Sequence, residues 1–287
     1  IFKPGAALGS PYYDVTGGNV LNEIVDNVDR DGMTIEISPN YSAIWSNSLS
    51  SLLEALAGYD KYPAADLYNN PKYIKMIDSL MPLTLSRRPT VPLGDSGTVA
   101  NVGNYTSVST LVNAYKYTKK PVYAQSIYHL NNKNTDGLRY DIYTKNPESL
   151  GPDIERVVRE YGEYDFDKSL QLGGFGFSIL RDGSLYETAG GKKDNQRCFW
   201  MFYGNTTHPR GYHSHYDVLN LGITAYGIDV APDLGYPRST QGDDYYNWGK
   251  NTVQHNTVLI NKKRQITKND IVTDTGLGTG RTDHFDD

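Results

Sequence analysis

The residues best suited to chemistry are crowded between Gly211 and Ile260, where GYHSHYDVLNLGITAYGIDVAPDLGYP is followed, after a loop, by WGKNTVQHNTVLI. His213, His215 and His255, half of the six histidines, fall there, with Asp217, Asp229 and Asp233 between them. His213 and His215 are two apart, so in extended backbone both side chains lie on one face. The apolar run after them predicts a strand leading to a turn at Asp233, and a second strand is expected to start at His255. Two such strand ends would bring imidazole, carboxylate and imidazole together, a donor set that suits zinc with a fourth position open. The alternative is that these histidines are ordinary hydrogen-bonded or exposed residues, and spacing alone leaves both readings open. The pattern is not that of a zinc finger, and the single cysteine, Cys198, excludes thiolate sites.

A net charge of −5 argues against non-specific nucleic-acid binding, although a local arginine cluster would still receive an anionic substrate. No apolar run approaches the roughly 20 residues that span a bilayer. There is no starting Met and no basic-then-apolar leader, so the chain is expected to be a piece of a longer protein, trimmed at both ends. Gly94-Asp95-Ser96-Gly97 is neither a phosphate loop, lacking the Gly-Lys-Ser/Thr that would follow, nor a hydrolase elbow. The 24 tyrosines include side chains able to stack on sugars, though tyrosines also fill cores.

Helices must come first in the fold. Leu21, Ile24, Val25 and Val28 follow helical spacing, ended by Asp31-Gly32. A polar loop, MTIEISPNYS with Glu36 and Tyr41, is expected next. Leu49, Leu52, Leu53 and Leu56 mark a second helix, and Asn70-Pro71 opens a third. A Pro/Gly loop covers residues 86–104, and helices are predicted around Val108–Tyr115, Tyr123–Leu130 and Ile154–Tyr161. After Phe166 the chain reads as strands: LQLGGFGFSILRDG, SLYETAG and CFWMFYG, with Asp182-Gly183 as a hairpin turn. Helices followed by strands predict an α+β protein of two domains, residues 1–150 helical and 151–287 antiparallel sheet.

Four stretches in order, DGMTIEISPNYS (31–42), VPLGDSG (91–97), HSHYDVLNLGITAYGIDVAPDLGYP (213–237) and W…NTVQHNTVLI (248–260), resemble the heparinase II/III-like polysaccharide lyases, relatives of the oligoalginate lyases. The last two stretches are the specific ones. The resemblance implies an (α/α) toroid followed by an antiparallel β-sandwich, both partial in this chain. It implies Tyr41 as the catalytic tyrosine, His213 as its partner in proton transfer, and His215, Asp233 and His255 as ligands of one zinc, structural in role. An upstream group that neutralises the substrate carboxylate would fall before residue 1.

Such lyases cleave uronic acid polysaccharides by β-elimination: a proton leaves C5, beside the carboxylate, and the 4-linked oxygen departs. A base must take that proton, an acid must feed the leaving oxygen, and developing charge must be stabilised. Histidine titrates near neutrality and suits the base, with Tyr41 feeding the leaving oxygen or relaying the proton, and the stereochemistry of the uronate decides which of the two takes the proton. Arg87, Arg88, Arg210 and Arg238 are candidate carboxylate binders, Arg238 foremost because it follows the Asp233 turn, and Trp248 is a candidate sugar-stacking platform. The expected partner is an anionic uronic acid polysaccharide or oligosaccharide, and the expected location is exported, periplasmic or extracellular. Two other readings remain: a zinc-dependent carbohydrate hydrolase, for which Asp217 and Asp229 are the local acid/base candidates, and a non-catalytic polysaccharide-binding protein of the same fold.

Overall fold

Helix periodicity up to about residue 161 and strand alternation after it both carry through to the three-dimensional structure, a computed structural model. It describes residues 20–56, 66–85, 90–97, 106–185, 195–204, 213–236 and 245–265. The helices are α1 (Val20–Asn27), α2 (Pro39–Ala55), α3 (Pro71–Asp78), α4 (Val108–Thr118), α5 (Pro121–Leu130) and α6 (Leu150–Tyr161). Proline opens α2, α3 and α5, where its missing N–H costs nothing. The Asn70 side chain caps α3 by accepting from the Lys72 and Tyr73 N–H groups. The apolar stripes meet in one core that includes Ile24, Leu53, Tyr73, Leu111, Tyr123 and Ile154. Helix α6 lies beyond the boundary expected at 150, yet its Leu150, Ile154 and Val157 share that helical core.

The strands form one antiparallel sheet in sequence order: β1 (Leu170–Leu172), β2 (Phe177–Asp182), β3 (Arg197–Phe202), β4 (Asn220–Ala225) and β5 (Ile228–Ala231). Its inner face supplies Phe177, Ile179, Trp200 and Phe202 to a second core. That core also takes Met33 and Ile37 from before α2, Leu83 from after α3 and Leu93 from the loop 91–97, so the sheet buries its inner face against the segments that join the helices.

Three local expectations are corrected. The stretch around Tyr41 is not a loop: Ser38-Pro39 starts α2, and Tyr41 lies in its first turn. Asp182-Gly183 does not close a tight hairpin with the segment after it, because β2 pairs with β3, Asp182 opposite Arg197; SLYETAG falls mostly outside the described residues. No strand starts at His255, which directly follows a 3-10 turn at Thr252–Gln254. In β4, moreover, the buried face is Asn220, Gly222 and Thr224, while Leu221 and Ile223 are half-exposed. Trp200 lies where a Cβ on Gly222 would be, and Asn220 is tied to Asp233, so shape and hydrogen bonding set this face.

Candidate active site

The loop 91–97 is the bracket that joins the two halves of the site. Gly94 has φ +55, and a Cβ there would collide with the carbonyl oxygens of His213 and Ile37, so only glycine lets the three backbones approach this closely. The Asp95 N–H donates to the His213 carbonyl at 2.9 Å. Ser96, fully buried, accepts from the Asn40 N–H at 3.0 Å and lies 2.7 Å from the Ser38 hydroxyl. The first turn of α2 therefore has an orphan amide satisfied by a hydroxyl from a distant segment, which fixes the helix end that carries Tyr41. Gly235, φ +63, packs on the carbonyls of Ser96 and Gly97, and the Tyr236 N–H donates to Gly97.

Through this bracket Tyr41 and His213 meet as stacked rings, centroids 3.3 Å apart and planes 11° from parallel. Both are only partly buried. The Tyr41 hydroxyl lies 3.3 Å from that of Tyr236. Burial, and then the Tyr236 hydroxyl, push the Tyr41 phenol above its ordinary value, so it keeps its proton. His213 Nδ1 lies 2.8 Å from Asp95 Oδ2, and His215 Nε2 lies 2.9 Å from Asp95 Oδ1. One carboxylate thus joins both members of the His-x-His pair, as their shared face predicts, although the backbone there is not a strand. Burial drives the Asp95 carboxyl upward, but the hydrogen bonds from the two imidazoles outweigh it and hold it at about 2.

Behind this pair lies a buried cluster. His215, Asp217 and His255 each offer a ligand atom, and these atoms lie within 4.8 Å of one another. His215 Nδ1 and both carboxylate oxygens of Asp217 are buried and lack a hydrogen-bond partner, the condition a cation would relieve. Asp233 also arrives here: its Oδ2 lies 2.6 Å from His255 Nδ1 and accepts from the Asn220 amide, and its Oδ1 accepts from the Gly235 N–H. Burial pushes Asp217 toward its neutral form; at Asp233 the His255 charge overcomes burial and favours the carboxylate. Burial pulls Lys250 below its usual value, against the nearby charges of Asp95 and Asp217.

Of the residues singled out from sequence, Tyr41 and His213 come together, and His255 meets His215 and is hydrogen-bonded to Asp233, which is not among the three converging ligands. Asp217, considered only as an acid or base, is the carboxylate that joins the two histidines in the ligand group; its signal was the continuing spacing His213, His215, Asp217. Asp95 was noted only as part of VPLGDSG, a stretch that carries the family resemblance without a role for the carboxylate. Asp229 lies on β5, and Trp248 is 53% exposed in the turn Tyr245–Gly249. Arg87, Arg88, Arg210 and Arg238 lie outside the described residues.

Residues 171–282 match the family model for the heparinase II/III-like C-terminal region. The fold resembles that of heparan sulfate lyase HepC from Pedobacter heparinus, with TM-score 0.53 and 16% identity over 85% of this chain and 32% of that one. It also resembles a heparinase III gene product, with TM-score 0.51 and 18% identity over 86% and 33%. At these identities the likeness is one of fold, and the chain spans about a third of the length of those proteins. No curated protein sequence matches the chain. The resemblance to heparinase II/III-like proteins read from the sequence is borne out.

Proposed function

We propose that this chain is the catalytic region of a polysaccharide lyase that cleaves a uronic acid polysaccharide by β-elimination, leaving an unsaturated uronate end. The observation that carries this reading is the stacked Tyr41–His213 pair, assembled from a helix end and a loop far apart in sequence. His213, tied to Asp95 through Nδ1, has Nε2 left to take the C5 proton. Tyr41, whose phenol stays protonated, feeds the 4-linked oxygen as it leaves. Anion-binding by Arg88 and Arg238 and sugar stacking on Trp248 complete the proposal for the substrate.

The buried donor set fits one zinc ion, held by His215 and His255 with carboxylate from Asp233 and Asp217. When bound, it would supply fixed positive charge that holds the loop ends together. We assign the helices, α6 included, to an (α/α) toroid and the sheet to one layer of a β-sandwich. The outer sheet face supports this: Leu180 is exposed and Phe199, Met201, Leu221 and Ile223 are half-exposed, apolar surface that a second sheet would cover. No described helix is long and apolar enough to cross a membrane, and we assign the protein to the exported class on the nature of its substrate.

The test is incubation with a panel of uronic acid polysaccharides while following the ultraviolet absorbance of a new unsaturated ring. One substrate is expected to respond, and Tyr41→Phe and His213→Ala, still folded, should each lower kcat by about 10²–10⁴-fold. Chelation should lower the melting temperature before it lowers turnover. Reducing ends without ultraviolet absorbance would overturn elimination in favour of a zinc hydrolase. Binding without any cleavage would leave a carbohydrate-binding protein.

A further inference from the structure

We infer that Asp95 is a positioning residue that fixes the tautomers of two imidazoles at once, holding His213 ready to accept a proton at Nε2 and His215 ready to bind a metal at Nδ1. This deepens the lyase reading and, for His213, rests on it. The GDSG motif, which fits neither a phosphate loop nor a nucleophile elbow, acquires its purpose here: it delivers one buried carboxylate between the catalytic pair and the ligand cluster.

A carboxylate accepts hydrogen bonds and cannot donate them. Asp95 Oδ2 lies 2.8 Å from His213 Nδ1 and Oδ1 lies 2.9 Å from His215 Nε2, so both of those nitrogens carry N–H. In the neutral form of each ring the opposite nitrogen is then the lone pair. On His215 that atom is Nδ1, buried, without a hydrogen-bond partner, and grouped with His255 and Asp217. On His213 it is Nε2, on a ring that stacks against Tyr41 and stays partly exposed. Asp95 is only 1% exposed, and water does not compete for its oxygens. Its backbone is held by its own N–H on the His213 carbonyl and by its own carbonyl accepting from the Ser38 hydroxyl. The carboxylate therefore has little freedom to turn away from either ring.

An amide in its place makes the assignment testable. Asp95→Asn keeps shape but offers one acceptor and one donor, so at most one imidazole keeps its tautomer. If the amide N–H₂ faces His213, that ring must accept through Nδ1 and carry its proton on Nε2, which removes the base; a wrong tautomer of this kind costs about 10⁴-fold in the serine protease triad. If it faces His215, Nδ1 becomes N–H and the metal loses a ligand, weakening binding by about 10–100-fold, the size of effect seen for outer-shell partners.

The experiment uses the full chain labelled with ¹⁵N-histidine, its imidazole signals assigned with His213→Gln and His215→Gln. Nitrogen chemical shifts report each tautomer at pH 8, Zn²⁺ affinity is read by chelator competition, and kcat and KM are measured separately. Wild type should show N–H at Nδ1 of His213 and Nε2 of His215. Asp95→Asn should invert one ring and lose the matching property: kcat with KM nearly unchanged, or Zn²⁺ affinity. An Asp95→Asn protein with both wild-type tautomers, and with kcat and Zn²⁺ affinity within twofold, would overturn the assignment. So would the opposite tautomer at either ring in wild type, a measurement that stands even if the variant does not fold. Absence of any elimination in wild type would sink the lyase reading alone, because the tautomer and Zn²⁺ measurements need no turnover.

Discussion

At the residue scale, the length of a contact decides how much it should matter. The Tyr41 and Tyr236 hydroxyls are 3.3 Å apart, longer than the usual 2.5–3.0 Å for O–H···O. A bond that long contributes at the low end of about 0.5–1.5 kcal/mol. Tyr236→Phe should therefore lower kcat by less than about tenfold, well short of the loss expected for Tyr41→Phe, as steady-state kinetics would show. A larger loss would mean that Tyr236 itself handles the proton. Asp29 gives a pH prediction away from the site. Its carboxylate accepts from the Asp31 and Met33 N–H groups, yet burial outweighs those bonds and raises its pKa from 3.8 to about 6. The folded chain thus holds this proton more tightly than the unfolded chain. The stabilisation is fully present below about 3.8 and is lost as pH rises through about 6. Asp29→Asn keeps the acceptor oxygen, so its melting temperature relative to wild type should rise between pH 4 and 7. Thermal melts across that range check it, and a gap independent of pH would contradict the burial argument.

At the scale of elements, the decisive joints are places where backbones touch. Gly94→Ala adds a Cβ against the His213 and Ile37 carbonyls at φ +55, where left-handed backbone alone costs about 1–2 kcal/mol. We expect a loss of stability larger than that in denaturant unfolding, together with loss of turnover because Asp95 is displaced. This joint also shows what sequence conveys. Helices α1, α3, α4, α5 and α6 were legible because their apolar residues repeat at helical spacing, and His213 with His215 because alternation puts them on one face. The helical start at Pro39 was obscured because its capping hydroxyl, Ser96, comes from 56 residues away. The inward face of β4 was hidden for a similar reason: Asn220 and Gly222 are buried by what faces them, Asp233 and Trp200. Asp95 was invisible as a positioning residue, since both partners are more than a hundred positions distant.

At the scale of the molecule, the proposed site exists only while helices and sheet stay docked, because Tyr41 comes from α2 and His213 from the segment before β4. Besides the shared core, two polar clasps hold them. The Asp31 carboxylate accepts from the Gly174 and Phe175 N–H groups, and Arg181 of β2 donates to the carbonyls of Pro82, Thr84 and Lys168. Arg181 faces carbonyls rather than a carboxylate, and burial pulls its pKa below the usual value, so its role is to satisfy backbone acceptors. Replacing it with leucine keeps apolar bulk but removes the donor to the part-buried Pro82 and Thr84 carbonyls, at about 1–3 kcal/mol for each, while the exposed Lys168 carbonyl turns to water. Trp200, 1% exposed in the shared core, is a natural reporter of docking. In wild type, loss of helical circular dichroism and the shift of tryptophan fluorescence should coincide in one transition, since the sheet's inner face has its cover from Met33, Ile37, Leu83 and Leu93 of the helical half. Arg181→Leu should move that transition to lower denaturant by several kcal/mol while leaving kcat per folded molecule near wild type. Two separated transitions would instead make the layers independent, and the site an assembly of parts that fold first and dock afterwards.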